Sequence, residues 1–137
     1  MQKISNLCVN LIIEDLAQSI EFYKTLGFVQ NMEFSNEQAA AMVWKEDFWL
    51  MLLTKDFAKT FLPERKSFAA KNTTSALYAL GFDSKEEVDI CYQTALEAGG
   101  KTTQEYDYGF MYGRDFEDLD GHIWEAFWMD PAGAPKE

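Results

Sequence analysis

A single carboxylate, Glu125, stands in an otherwise apolar segment near the end of the chain. Asp120-Gly121 is typical of a tight turn, since glycine adopts positive φ without steric cost, and residues 123–128 have the β-branched and aromatic composition of a strand. Glu125 shares its strand face with Ile123 and Phe127. Because ionised glutamate is rarely buried without a partner, Glu125 either faces solvent or lines a cavity as a binding group or general base.

Two polar side chains near the N-terminus lie within another apolar run. Cys8 and Asn10 share a face of the strand predicted over residues 4–13. A buried Asn needs partners, and these could be backbone groups, Glu125 or a ligand. A reactive Cys8 would need a nearby cation or a helix N-terminus, whereas a buried thiol that packs as a small hydrophobe needs neither.

Tyr112 and Arg114 share a face of a later predicted strand. An arginine there could clamp a carboxylate or phosphate of a ligand, or it could pair with one of the acidic residues of the chain. Which of these applies depends on a one-residue choice of register, which the sequence leaves open. The tryptophans, Trp49 among them, would fill the core or line an apolar ligand cavity.

Composition restricts the classes of partner. The 137 residues fit one domain, and 12 basic against 23 acidic residues give a net charge of −11, which disfavours nucleic acid and anionic membrane surfaces. No apolar run is long enough to span a bilayer, and the N-terminus lacks the pattern of a signal peptide. Cys8 and Cys91 do not form a disulfide framework, so we expect a cytoplasmic protein with reduced thiols.

The chain contains two copies of one pattern, strand, helix and three strands. The first module covers residues 1–63, with a helix capped by Asp15 and ended by Gly27, strands over 28–34, 39–44 and 48–53, and a helical turn over 57–62. Residues 64–74 form the predicted linker. The second module, 75–130, has a strand over 75–82, a helix capped by Asp83 or Ser84, and strands over 101–105, 110–116 and 122–128. Residues 131–137 are expected to be a flexible tail.

These motifs resemble the vicinal oxygen chelate superfamily, which includes glyoxalase I, bleomycin-resistance proteins, fosfomycin-resistance enzymes and extradiol dioxygenases. The resemblance rests on Val9–Phe28 and Asp118–Glu125, while Trp49–Phe57 and Gly109–Phe116 resemble a branch described as glyoxalase-like or predicted lactoylglutathione lyase. It implies a single α+β domain over residues 1–137, in which two tandem βαβββ modules form a curved, barrel-like mixed sheet. It also implies a homodimer.

The resemblance further implies four metal-ligand positions, which fall on Cys8, Met51, Leu77 and Glu125. Only Glu125 offers a hard oxygen, and leucine offers no ligand atom, so these residues do not form the imidazole and carboxylate set that such metals prefer. The single histidine, His122, does not fall on a ligand position. We therefore expect no metal or other cofactor, although a divalent metal is the alternative that the family suggests.

The sequence thus predicts a glyoxalase-like protein that binds a small organic ligand in an aromatic-lined pocket. Glu125 would be its centre and the general base if the protein is an enzyme. The expected ligand-binding residues are Asn10, Cys8, Met51, Trp49, Tyr112 and Arg114. The alternatives are a metal-dependent lyase or isomerase of the glyoxalase I type, and a dioxygenase-type enzyme.

Overall fold

The computed structural model describes residues 1–70 and 72–135. The chain divides into two compact units, Met1–Phe68 and Ala69–Glu137, at a point within the predicted linker. Residue 71 of that linker and residues 136 and 137 of the predicted tail lie outside the described residues. Each unit contains one four-stranded mixed sheet, as the two-module α+β prediction requires.

The first unit has the predicted strand, helix and three-strand order. It comprises β1 (Leu7–Ile13), α1 (Leu16–Thr25), β2 (Val29–Asn31), β3 (Ala39–Lys45), β4 (Phe48–Thr54) and the short α2 (Lys55–Lys59). The strand order is β1-β4-β3-β2, with β1 parallel to β4. Asp15 caps α1 by accepting a 3.0 Å hydrogen bond from the Gln18 amide, and Gly27 follows the helix with φ of 107°.

The second unit repeats this topology. It comprises β5 (Leu77–Phe82), α3 (Lys85–Glu97), β6 (Lys101–Asp107), β7 (Met111–Glu117) and β8 (Ile123–Met129), in the order β5-β8-β7-β6. Of the two predicted helix caps, Ser84 is the one used, because its hydroxyl accepts a hydrogen bond from the Glu87 amide at 3.1 Å. Strand β8 is parallel to β5 and antiparallel to β7, so Glu125 lies on a central strand.

Each sheet buries one face beneath its long helix. In the first unit, the buried side chains include Leu11, Ile13, Phe22, Tyr23, Leu50 and Leu52; in the second, they include Val88, Tyr92, Ala95, Phe116, Trp124 and Ala126. Side chains alternate along a strand, so the intervening residues lie on the face opposite the helix. Glu125, Cys8 and Asn10 are all among these intervening residues.

Several expected element bounds were wrong. The first strand begins at Leu7 and not at residue 4. The second strand ends at Asn31, because the Asn31 side chain accepts from the Glu33 amide and a 3-10 turn, Met32–Phe34, follows. The helical turn expected over 57–62 begins earlier, at Lys55. Strand β6 runs to Asp107 and carries an irregularity between Thr102 and Glu105 that the sequence did not indicate. Across the described residues, none of the helices combines the length and apolar character that crossing a bilayer requires.

Candidate functional site

Glu125 lies beside a second carboxylate on the same face of its sheet. The register places Ala79 of β5 on one side of Glu125 and Asp115 of β7 directly on the other. Side chains at such opposed positions are close neighbours, with Cβ atoms roughly 4.5–5.5 Å apart. We call this side of the second sheet, opposite α3 and carrying Ala79, Glu125 and Asp115, the Glu125 face.

Asp115 is the more buried member of this pair. Asp115 is 5% exposed, and its Oδ1 atom has no hydrogen-bond partner among the residues that the structure describes. Burial, and secondarily the negative charge of Glu125, raises the pKa of Asp115 from 3.8 to about 6. The Asp115 carboxyl group therefore changes protonation state close to neutral pH.

Strand β6 adds a hydroxyl and a phenol to this face. The irregularity in β6 places residues 103 and 104 across from Asp115. The Thr103 Oγ1 atom is also buried, and no described residue forms a hydrogen bond with it. Burial raises the pKa of Tyr106, and Asp115 and Glu125 both raise it further through their charge. Tyr106 therefore lies within electrostatic reach of both carboxylates.

Two glycines let aromatic rings lie against the sheet in the adjacent row. In this row Gly81, Phe127, Gly113 and Tyr106 follow one another across the four strands. A Cβ atom at Gly113 would collide with the Tyr106 ring, and one at Gly81 would lie 3.1 Å from the Phe127 ring. The Glu125 face thus combines two carboxylates and a hydroxyl with two aromatic rings.

The predicted residues of the first unit lie together on one face of its sheet. Cys8 pairs in register with Trp49, and Asn10 with Met51. Cys8 and Asn10 are exposed, whereas Met51 packs against the apolar cluster of Ala39, Leu53 and Ala58. Partial desolvation raises the pKa of the Cys8 thiol, which opposes activation of the thiol as a nucleophile.

Tyr112 and Arg114 lie on the other face of the second sheet, away from Glu125. The Arg114 guanidinium lies 3.4 Å from Asp89 of α3 and 3.6 Å from Glu105, and its central carbon is 3.9 Å from the centre of the Tyr92 ring. The Tyr112 hydroxyl donates a 2.5 Å hydrogen bond to Asp89. The structure therefore has the arginine paired with acidic residues of the chain, and neither side chain belongs to the Glu125 face.

The Asp118-Leu-Asp-Gly segment before β8 shapes a turn. The buried Asp118 side chain accepts hydrogen bonds from the backbone amides of Asp120 and His122, each at 2.9 Å, and Gly121 has φ of 87°. A buried carboxylate satisfied by backbone amides stabilises a tight turn. This turn sets where β8 begins and so where Glu125 lies along its strand.

A separate open depression lies in the first unit, between β2 and β3. Its lining residues are Gln30, Met32, Ser35, Asn36, Glu37 and Gln38. None of the ligand-binding residues predicted from the sequence is among them.

Comparison with known proteins identifies the family. Residues 6–126 match the model of the glyoxalase/bleomycin resistance protein/dioxygenase superfamily. The chain belongs to this superfamily. No curated protein sequence matches the chain at a significant level.

Solved structures share the fold over nearly the full length. The hypothetical protein SA1046 from S. aureus is 26% identical, with a TM-score of 0.76 over 93% of this chain and 95% of that chain. The fosfomycin resistance protein FosX from Listeria monocytogenes is 17% identical, with a TM-score of 0.67 over 96% and 97%. Lactoylglutathione lyase from Agrobacterium tumefaciens is 14% identical, with a TM-score of 0.66 over 89% and 91%. At such low identity, the last two show the fold alone.

The residues present do not fit the metal that the superfamily suggests. Met51 and Glu125 occupy equivalent places in the two sheets, since each lies on the strand paired in parallel with the first strand of its unit. Leu77 has no donor atom, and the thioether of Met51 packs in an apolar cluster. Among residues 1–70 and 72–135, no group of three or more His, Cys, Asp and Glu side chains could hold a metal ion.

Proposed function

We propose that this protein binds a small organic ligand on the Glu125 face, without a transition metal. The observation that carries the proposal is the Asp115 carboxylate, which is 5% exposed and lies directly across from Glu125, and whose Oδ1 atom has no partner within residues 1–70 and 72–135. A buried polar atom with no hydrogen bond costs roughly 1–3 kcal/mol. A ligand that donates hydrogen bonds here would offset that cost.

The surroundings of the two carboxylates suit a small organic molecule. The rings of Tyr106 and Phe127 lie against the sheet one row away and offer apolar contact area, while the carboxylates offer directional acceptors. Ligand sites typically combine apolar and aromatic walls with a few convergent polar groups. By contrast, the first unit has Ala41 and Met51 at the places equivalent to Asp115 and Glu125, so we assign binding to the second unit.

A second candidate function is acid–base catalysis on a small carbonyl or carboxylate substrate. It is favoured by the pKa of Asp115, which at about 6 suits proton transfer near neutral pH, and by the second carboxylate opposite it. In this role Glu125 would be the general base and Asp115 its proton-sharing neighbour. The donor atoms present support neither a metal-dependent glyoxalase I type lyase nor a dioxygenase.

Glu125→Gln tests the proposed site. A library of small organic molecules is screened by thermal unfolding against wild type, Glu125→Gln and the control Glu97→Gln, which removes one charge from an exposed residue of α3. Ligands should raise the Tm of wild type and of the control, but not of Glu125→Gln, whose own stability should equal or exceed that of wild type. Equal stabilisation of all three proteins would show that Glu125 is not at the binding site.

The expected absence of a metal is checked separately. Metal analysis of the purified, dialysed protein should find no stoichiometric Fe, Mn, Zn or Ni. About one such ion per chain would show that the metal-ligand positions have been assigned to the wrong residues.

A further inference from the structure

Among the residues that the structure describes, the carboxylates of the Glu125 face have no cationic partner. Across the described residues, the ion pairs join Lys24, Lys55, Lys85 and Arg114 to other acids, and none involves Asp115 or Glu125. The next row along the sheet contains Glu117 of β7 opposite Lys101 of β6. Two like charges held side by side repel, and the repulsion is strengthened by burial, so this arrangement favours binding of a positive charge.

The other groups on this face also suit a positively charged nitrogen. An ammonium group has three N–H donors and no acceptor. Two buried oxygen atoms of this face, Asp115 Oδ1 and Thr103 Oγ1, lack a hydrogen-bond partner among the described residues and could accept from it. The aromatic rings in the adjacent row could stabilise a cation through their π faces. The net charge of −11 also attracts cations toward the protein.

We propose that Asp115 and Glu125 bind the protonated amine of a small organic ligand, whose apolar part lies on the rings of Tyr106 and Phe127. Asp115, buried and unpartnered at Oδ1, would accept a hydrogen bond from the ammonium group, and Glu125 would supply the second charge. This inference rests on the proposed function and names the class of ligand that the same face would take.

Phenethylamine and phenethyl alcohol are the test probes, because they have the same apolar part and differ in the charged nitrogen. Each is titrated in the presence of EDTA into isotopically labelled protein, and the amide signals of β7 and β8 are followed by NMR. The amine should perturb these signals and bind at least about tenfold more tightly than the alcohol, as expected for a hydrogen bond to a charged group.

Substitution of each carboxylate tests whether Asp115 and Glu125 cause the preference for the amine over the alcohol. Asp115→Asn and Glu125→Gln should each weaken binding of the amine by about tenfold and should weaken binding of the uncharged alcohol by less. Glu97→Gln removes an equal charge from α3 and should change neither. Since Asp115 is buried, retention of a well-dispersed spectrum is checked first, and Glu125→Gln decides the outcome if Asp115→Asn does not fold.

The possible failures are distinct. Equal binding of amine and alcohol at β7 and β8 overturns the cation proposal but leaves the proposed function standing. Unchanged amine affinity in both carboxylate variants, or amine binding that appears only when a divalent ion is added, also overturns the cation proposal. If neither probe perturbs the amide signals of β7 and β8, the cation proposal is wrong. The proposed function is then tested by the thermal unfolding screen of wild type and Glu125→Gln alone.

Discussion

At the scale of single residues, the partner of Glu125 depends on strand register. The sequence predicts Tyr112 and Arg114 of β7 as ligand-binding residues, but it does not determine which face of the sheet they occupy. The structure places them toward α3, which puts Asp115 on the Glu125 face. A shift of one residue exchanges the two faces of a strand, so sequence alternation alone could not choose between Arg114 and Asp115. The candidate site therefore contains a pair of carboxylates and not an arginine that would bind an anionic ligand.

Asp115→Asn should change the dependence of stability on pH. The raised pKa of Asp115 means that the folded protein retains a proton that the unfolded chain releases, so the stabilisation is full below about pH 4 and is lost as pH rises through about 6. Asn is neutral throughout. The variant should therefore gain up to about 3 kcal/mol over wild type above pH 6 and match it near pH 4.

Urea unfolding across this pH range measures the effect, with Glu97→Gln as the control for loss of one charge. The titratable groups that lie near Asp115 on this face are Glu125 and Tyr106, with Glu117 and Lys101 in the next row. A difference between Asp115→Asn and wild type that does not vary with pH would contradict the assignment of the raised pKa to Asp115.

At the scale of elements, the sequence predicted helix ends, because these depend on residues that are close together in the chain. Asp15, Ser84 and Gly27 mark helix ends through their own side chains or through positive φ, so their roles were visible in the sequence. The early end of β2 follows a local hydrogen bond from the Glu33 amide to the Asn31 side chain, whereas the irregularity of β6 arises in its pairing with β7. The same irregularity places Thr103 across from Asp115, so part of the candidate site could not be found from the sequence.

Arg114→Gln should destabilise the second unit without affecting the Glu125 face. The variant removes the contacts of Arg114 with Asp89, Glu105 and the Tyr92 ring that join α3 to β6 and β7. Because the guanidinium is partly exposed, the loss should be about 1–2 kcal/mol in urea unfolding. The amine affinity measured by NMR should stay within about twofold of wild type. Weaker binding of the amine with an unchanged free energy of unfolding would instead show that Arg114 contributes to the ligand site.

Gly113→Ala should disturb the ring of Tyr106. The added methyl group would collide with that ring, so either the ring moves or β6 and β7 separate, at a cost of about 1–3 kcal/mol. The cost should shrink in a Tyr106→Ala background, because the double variant removes the collision. Gly81→Ala, where the nearest ring atom is 3.1 Å away, should cost less. An equal cost with and without Tyr106 would show that the ring does not require the glycine.

At the scale of the whole molecule, duplication supplies two equivalent sheets. In the described part of the chain the second carries the carboxylate pair, and the first has Ala41 and Met51 at the equivalent places. Asn10 and Met51 occupy the row in the first sheet that Ala79 and Glu125 occupy in the second. Cys8 and Asn10 share a strand face, as alternation predicted, and the register with β4 places Trp49 and Met51 beside them. Fold and repeat were therefore predictable from periodicity and motifs, whereas the division of chemistry between the repeats depended on the strand register.

The homodimer implied by the family resemblance stays a prediction, and the edge strands indicate how to test it. Strands β1 and β5 lie at the edges of their sheets and leave Leu7 and Leu77 exposed by 61% and 57%. Exposed apolar residues on edge strands favour association, and a lysine at such a position opposes it. Sedimentation should give a dimer of the 15.8 kDa chain, and Leu77→Lys should weaken dimerisation by at least about tenfold.

Ile90→Lys provides the matched control, because Ile90 is 65% exposed but lies on α3 instead of a sheet edge. It adds the same charge to an exposed apolar position, so any general effect of a lysine on solubility or net charge appears in both variants. The control should remain dimeric. A monomeric wild type would refute the dimer itself, while a dimer weakened equally by both substitutions would show that association does not use the edge strand.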